Sequence, residues 1–132
     1  MSAFLDTSGL YAALVRNEPA HDRVAQGLTK LWEDGRTLWA TSYVVLETVA
    51  LLQRRLGLSA VQDFAERLAP TISVVWVSEA LHQRGLRRLF RENRRNLSLV
   101  DCVSFEFMES LGLREALALD QQFAEAGYRL IP

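Results

Sequence analysis

The chain has 132 residues, 49% of them hydrophobic and 23% charged, with a net charge of −1. That length suits one domain over residues 1–132, burying about two-thirds of its unfolded surface in one core. The single cysteine, Cys102, excludes an internal disulfide and a cysteine-rich zinc site. No apolar run approaches membrane-spanning length and no signal-peptide pattern opens the chain, so the simplest expectation is a cytoplasmic protein.

In chain order, SAFLD is expected as a short strand that ends at Asp6, followed by a helix in TSGLYAALVRN. Asn17-Glu18-Pro19 breaks that helix, and a second spans about His21 to Trp32. Asp34-Gly35 signals a turn before a strand at Thr37 to Ala40. A long apolar helix from Ser42 to Leu56 stops at Gly57. Ser59-Ala60-Val61-Gln62 has the form of a capping box for a helix that ends before Pro70. Ile72 to Val77 is rich in strand formers, and Ser78 caps an arginine-rich helix. Ser98 opens the next helix, Ala116 to Leu119 reads as a strand ahead of Asp120, Gln121 to Ala126 as a short helix, and Tyr128 to Ile131 as a last strand. The alternation predicts an α/β fold: a mostly parallel central sheet of about four to five short strands with helices on both faces.

Four acids lie in apolar settings: Asp6 in AFLDTS, Glu47 in VVLETVALL, Asp101 in LSLVDCVSF and Asp120 in LALDQQF. A buried carboxylate loses solvation and needs a proton or a cationic partner. Three of the four have a purely local use: Asp6 and Asp120 can cap the helices that follow them, and Asp101 can close a capping box with Ser98. Glu47 has no cap to make, and the helical period places it on one side with Val44 and Leu51, directed into apolar surroundings. Like charges brought together repel unless a cation lies between them, and hard carboxylate oxygens suit Mg²⁺ or Mn²⁺. Two acids at strand ends and two on helices therefore point to a metal-dependent hydrolase.

These segments resemble the PIN-domain ribonucleases, and among them the VapC-like toxins of toxin–antitoxin pairs. FLDTSGLYAAL resembles the family's first strand, Asp-Thr-Ser and first helix. ATSYVVLETVALLQRRLG resembles the segment with its Glu, preceding Thr-Ser and following basic pair; LSLVDCVSFEFMESLG and ALALDQQFAEAGYRLI resemble those with its third and fourth acids. The resemblance covers nearly the whole chain. It implies that Asp6, Glu47, Asp101 and Asp120 are the catalytic, metal-binding quartet, with Thr7, Ser8 and Ser98 as supporting hydroxyls. It also implies RNA cleavage leaving 5′-phosphate and 3′-hydroxyl ends, a cognate antitoxin and a homodimer. One departure is Ala118, where many members carry Thr or Ser. Non-catalytic use of the same fold, as an RNA-binding or protein-interaction module, is the rival reading.

Arg84, Arg87, Arg88, Arg91, Arg94 and Arg95 crowd one segment whose single acid is Glu92. On a helical wheel they span about 120°, opposite Leu86, Leu89 and Phe90, as a stripe for RNA phosphates, for an acidic antitoxin segment, or simply for solvent. On this expectation Arg88→Glu weakens binding without harming the fold. His21 and His82 are expected at the surface, Cys102 as a packing residue, and Trp32, Trp39 and Trp76 in the core or an interface. The apolar helix of Tyr43 to Leu52 either buries within the monomer or helps to form the homodimer. A phospho-acceptor domain or aspartyl phosphatase would need a lysine near the acids, and the one lysine, Lys30, lies in a helix away from them. A dinucleotide fold would need a glycine-rich turn after the first strand, which is absent.

Overall fold

The computed structural model describes residues 1–132. Ala3, Phe4 and Leu5 are completely buried, and they form the central strand β1 (Ser2–Leu5). It pairs in parallel with β2 (Thr37–Thr41) on one side and β4 (Glu115–Leu117) on the other. β3 (Ser73–Val75) and β5 (Arg129–Ile131) complete a five-stranded parallel sheet in the order β3-β2-β1-β4-β5. The order reverses at β1, so the crevice beyond the ends of β1 and β4 is the topological switch point of the sheet.

Seven α-helices surround the sheet: α1 (Thr7–Leu14), α2 (His21–Glu33), α3 (Ser42–Leu56), α4 (Leu58–Asp63), α5 (Glu79–Glu92), α6 (Leu99–Leu111) and α7 (Gln121–Glu125). Successive side chains of a strand point to opposite faces. Phe4 accordingly stacks toward Phe107 of α6 and Phe123 of α7, whereas the side chain of Leu117 lies under Gly27 of α2. Both faces are therefore covered, as a buried parallel sheet requires.

Several boundaries differ from those expected. β1 ends at Leu5, and Asp6 is the N-cap of α1 rather than a strand residue. β4 ends at Leu117, three residues before Asp120. α4 starts at Leu58 directly after Gly57, so Ser59 lies inside the helix and forms no capping box; Gln62 donates instead to Glu66. The helical path then widens into a π turn over Phe64–Leu68 and passes through Pro70 as a 3₁₀ turn. β3 is shorter than Ile72 to Val77, and Trp76 beyond it is 79% exposed, contrary to a core position. Trp32 is also partly exposed, while Trp39 packs on Phe107.

α5 stops at Glu92 because Asn93 takes a left-handed conformation (φ 52°), a common helix terminator. Arg94 and Arg95 consequently lie beyond the helix, and the six arginines do not form one stripe. Within α5, Gly85 lets the helix close onto Val103 of α6. One turn on, the Arg88 guanidinium bonds to Glu106 and Glu109 at 3.0 Å each and lies over the Phe105 ring. Arg88 is 11% exposed and serves as a helix–helix clamp. Arg84 faces Glu106 at 3.9 Å, and Arg94 pairs with Glu125 at 2.9 Å.

A second close approach seats α1 on the end of β4. A Cβ on Gly9 would collide with the backbone carbonyl of Leu117, so only glycine fits there. Asp6 N–H donates to the same carbonyl at 3.1 Å. Gly9→Ala is expected to cost more than ~2 kcal/mol in urea unfolding, since backbone must move to admit the methyl; a loss under ~0.5 kcal/mol would contradict this contact. Arg88→Glu is expected to destabilise by roughly 3 kcal/mol, because three carboxylates would then share one half-buried site. Unfolding at the wild-type midpoint would restore Arg88 to the role of a free surface cation.

Candidate active site

Three of the four acids do make the local hydrogen bonds that their positions permit. Asp6 Oδ2 accepts from Ser8 N–H at 3.2 Å and Ser8 Oγ at 2.7 Å. Asp101 Oδ2 accepts from Ser98 N–H at 3.2 Å, and Ser98 Oγ accepts in return from Asp101 N–H at 3.0 Å, a complete capping box. Asp120 Oδ1 accepts from Gln122 N–H at 2.9 Å. Each cap employs one carboxylate oxygen. The second oxygen of each remains for another partner, so capping and cation binding are compatible roles.

The same three acids and Glu47 line one cleft of about 520 Å³, together with Thr7, Ser8 and Ser98. Asp6 arrives from the end of β1, Asp120 from beyond β4, Glu47 from the second turn of α3, and Asp101 from the first turn of α6. Ser8 ties two of these segments together: its Oγ donates to Asp6 and accepts from Leu119 N–H at 2.9 Å. Thr7 anchors α1 to α3, donating to the Val44 carbonyl at 3.4 Å and accepting from Thr48 Oγ1 at 3.4 Å.

Glu47 is exposed on the cleft wall, not directed into the apolar interior. The buried side of α3 runs through Val44, Thr48 and Leu52. Its centre, Thr48, lies one residue and thus about 100° away from Glu47. The runs of apolar letters around Glu47 concealed that Thr48, a hydroxyl facing Thr7, takes the interior position. The buried carboxylates are instead Asp6 and Asp101, at 4% and 7% exposure.

Their environment disfavours the charged form. Burial raises the Asp6 carboxyl to about 7, with the Asp101 charge adding to the rise and the Ser8 hydrogen bonds opposing it. Asp101 is also raised, by burial first and then by the charges of Asp120 and Glu47. The four acids are thus electrostatically coupled in the absence of a cation. No three of them converge into a ready-made cation cage. In chemistry, however, the set fits a hard divalent ion: carboxylate oxygens only, two of them on buried residues whose charge lacks a cationic partner.

Two polar residues of the cleft carry no role in the sequence reading: Arg54 on α3, noted there only within the basic pair that follows Glu47, and Asn96 in the α5–α6 loop, which gave no signal. Arg54 was detectable, since it follows Glu47 by seven residues and Ala50 and Leu51, which also line the cleft, fall between at helical spacing. Arg87, Arg91 and Arg95 are exposed, and none of the six clustered arginines lines the cleft. His21 and His82 are half-buried rather than free at the surface: His21 Nδ1 bonds to the Ala12 carbonyl at 2.8 Å, and His82 Nδ1 to Tyr43 Oη at 2.6 Å. Cys102 is fully buried, and its thiol is pushed up to about 11, chiefly by burial, which suits packing and not nucleophilic attack.

Comparison with known proteins agrees with this architecture. The PIN domain family model matches residues 3–127. The 23S rRNA-specific endonuclease VapC20 of Mycobacterium tuberculosis is 36% identical over 127 residues, which cover 95% of this chain and 94% of that protein. A crystal structure of M. tuberculosis VapC20, described as a sarcin–ricin loop cleaving toxin, superposes with a TM-score of 0.87 at 30% identity, covering 99% of this chain and all of that one. DNA-bound VapBC from Salmonella typhimurium shares the fold alone, with a TM-score of 0.67 at 18% identity over 98% of this chain and 97% of that one. With a family model spanning nearly its whole length and a relative more than one-third identical along it, the chain belongs to the PIN domain family.

Proposed function

We propose that this protein is an endoribonuclease, the toxin of a toxin–antitoxin pair, acting on RNA at the cleft of Asp6, Glu47, Asp101 and Asp120. The observation that carries this is the meeting of four acids from distant parts of the chain at the sheet's switch point, two of them buried without a counter-charge. Likeness to VapC20, named a 23S rRNA-specific endonuclease, supports 23S ribosomal RNA as the substrate, and we place the proposed action in the cytoplasm as the compartment of such an RNA. No helix is long and apolar enough to cross a membrane. The family resemblance also supports a cognate antitoxin and a homodimer; Leu46, 67% exposed on α3, is available for either contact.

In this reading the free oxygens of Asp6, Asp101 and Asp120, with Glu47, hold Mg²⁺ or Mn²⁺. Such an ion, when bound, makes water a better nucleophile and offsets charge on the phosphoryl oxygens. The protein's own contribution is placement. Ser8 and the Ser98 capping box hold Asp6 and Asp101 in place, which limits the ordering that cation binding has to impose on them. Burial makes the charged form of Asp6 costly until a cation arrives, which couples cation binding to release of its proton. Ala118 is buried and supplies no hydroxyl beside Asp120; Ser8, through Leu119 N–H, is the hydroxyl that steadies that segment.

Asp6→Asn keeps an N-cap acceptor, since Asn caps as well as Asp, and Asp101→Asn keeps a side-chain oxygen to accept from Ser98 N–H in the capping box. Each is expected to fold normally and to lose at least ~100-fold in Mg²⁺-dependent cleavage of 23S ribosomal RNA. Cleavage that survives both substitutions would remove the acids from the reaction.

A second prediction concerns pH. The folded-state value of Asp6, about 7, lies above its unfolded value of 3.8. Between these values the folded protein retains a proton that the unfolded chain has released, so stability falls as pH rises through the window. The cost above about pH 7 is on the order of a few kcal/mol. Metal-free Asp6→Asn should therefore melt higher than the wild type above about pH 7, with the difference fading below about pH 4. Mg²⁺ should raise the melting temperature of the wild type and leave Asp6→Asn nearly unmoved. A pH-independent difference would show that Asp6 is not held against its charge.

A further inference from the structure

α3 lines the cleft with Glu47, Ala50, Leu51 and Arg54, the spacing of one helical face. Arg54 is the one basic side chain on a cleft wall otherwise furnished with four acids. It is exposed and takes part in no ion pair; the arginines that do are Arg36, Arg67, Arg84, Arg88, Arg94 and Arg129. Its neighbour Arg55 is engaged elsewhere, its guanidinium 5.3 Å from the centre of the Tyr11 ring. The basic pair thus divides: Arg55 packs on α1, and Arg54 is left to the cleft with all its donors free.

An acidic cleft repels a polyanion, and cations held among the carboxylates can offset only the phosphate that they touch. The adjoining phosphates need a separate counter-charge. Seven residues at 1.5 Å each set Arg54 about 10 Å along the helix axis from Glu47. Arg54 therefore lies about two helical turns from Glu47 on the same wall of the cleft. A guanidinium binds two phosphate oxygens side by side, which fixes orientation as well as affinity.

We propose that Arg54 grips an RNA backbone phosphate next to the scissile one and thereby sets the register of the strand in the cleft. The proposal rests on the ribonuclease function above. Arg54 is a substrate-binding residue in this scheme, with no part in holding the cation.

The test is steady-state cleavage of 23S ribosomal RNA with Mg²⁺ by the wild type, Arg54→Ala, Arg54→Gln and Arg55→Ala. Loss of one charge-assisted contact is expected to raise KM roughly ten-fold or more in both Arg54 variants, with kcat changed less than about two-fold. The dependence of log affinity on log salt should flatten by about 0.7, the share of one phosphate contact on a single strand. Arg55→Ala should match the wild type in KM and salt slope, and the Mg²⁺-induced rise in melting temperature should persist in every variant. Wild-type KM and salt slope in the Arg54 variants, or equal losses in Arg54→Ala and Arg55→Ala, would overturn the proposal while leaving the nuclease intact. An inert wild type would instead overturn the ribonuclease function itself.

Discussion

The approach of α1 to the end of β4 is the constraint on which the cleft depends. Gly9 lies against the Leu117 carbonyl, Asp6 N–H donates to that carbonyl, and Ser8 Oγ bridges Asp6 and Leu119 N–H. These contacts join two segments more than 100 residues apart at the place where the strand order reverses. A parallel sheet directs every strand-to-helix turn to one end, and the switch point leaves a crevice there. The contacts around Gly9 and Ser8 keep the acids at the ends of β1 and β4 beside that crevice. The Thr7–Thr48–Val44 hydroxyl contacts then draw in α3, and with it Glu47.

Local helix capping and charge clustering, which look like competing explanations of the acids, turn out to be the same arrangement. A carboxylate has two oxygens, and a cap uses one. Asp6, Asp101 and Asp120 are each immobilised by their own helix start, so the backbone that they stabilise also orients them. The electrostatic cost is concentrated on Asp6, which is the most buried and has no cationic partner. In the proposed metal site, that cost marks the carboxylate whose charged form gains most from a nearby cation.

Arginine presents the opposite case, where a cluster in sequence dissolves in three dimensions. Arg88 clamps α5 to α6 beneath Glu106 and Glu109, Arg94 leaves the helix after Asn93 and meets Glu125, and none of the six reaches the cleft. The single arginine that does reach it, Arg54, stands outside the cluster, in the basic pair that follows Glu47. Proximity along the chain measured the density of positive charge, but pairing across the fold decided which charges stayed free.

Much of the fold was legible from sequence because it depends on local rules. Alternating strand and helix signals, Gly57 as a stop and Ser78 and Ser98 as caps are all properties of a few adjacent residues. The three capping acids were legible for the same reason, and the family pattern ordered all four. What needed the tertiary structure was the neighbourhood of each side chain. Glu47 read as buried because its neighbours are apolar, yet α3 meets α1 through Thr48, and a rotation of about 100° moves Glu47 to the cleft wall. Ser59 failed to cap because Gly57 had already turned the chain into α4 at Leu58. Sequence by itself determined which acids had to be accommodated and which helices they would start; only packing decided which of them lose water, because burial belongs to the surfaces that meet and not to the residues that adjoin.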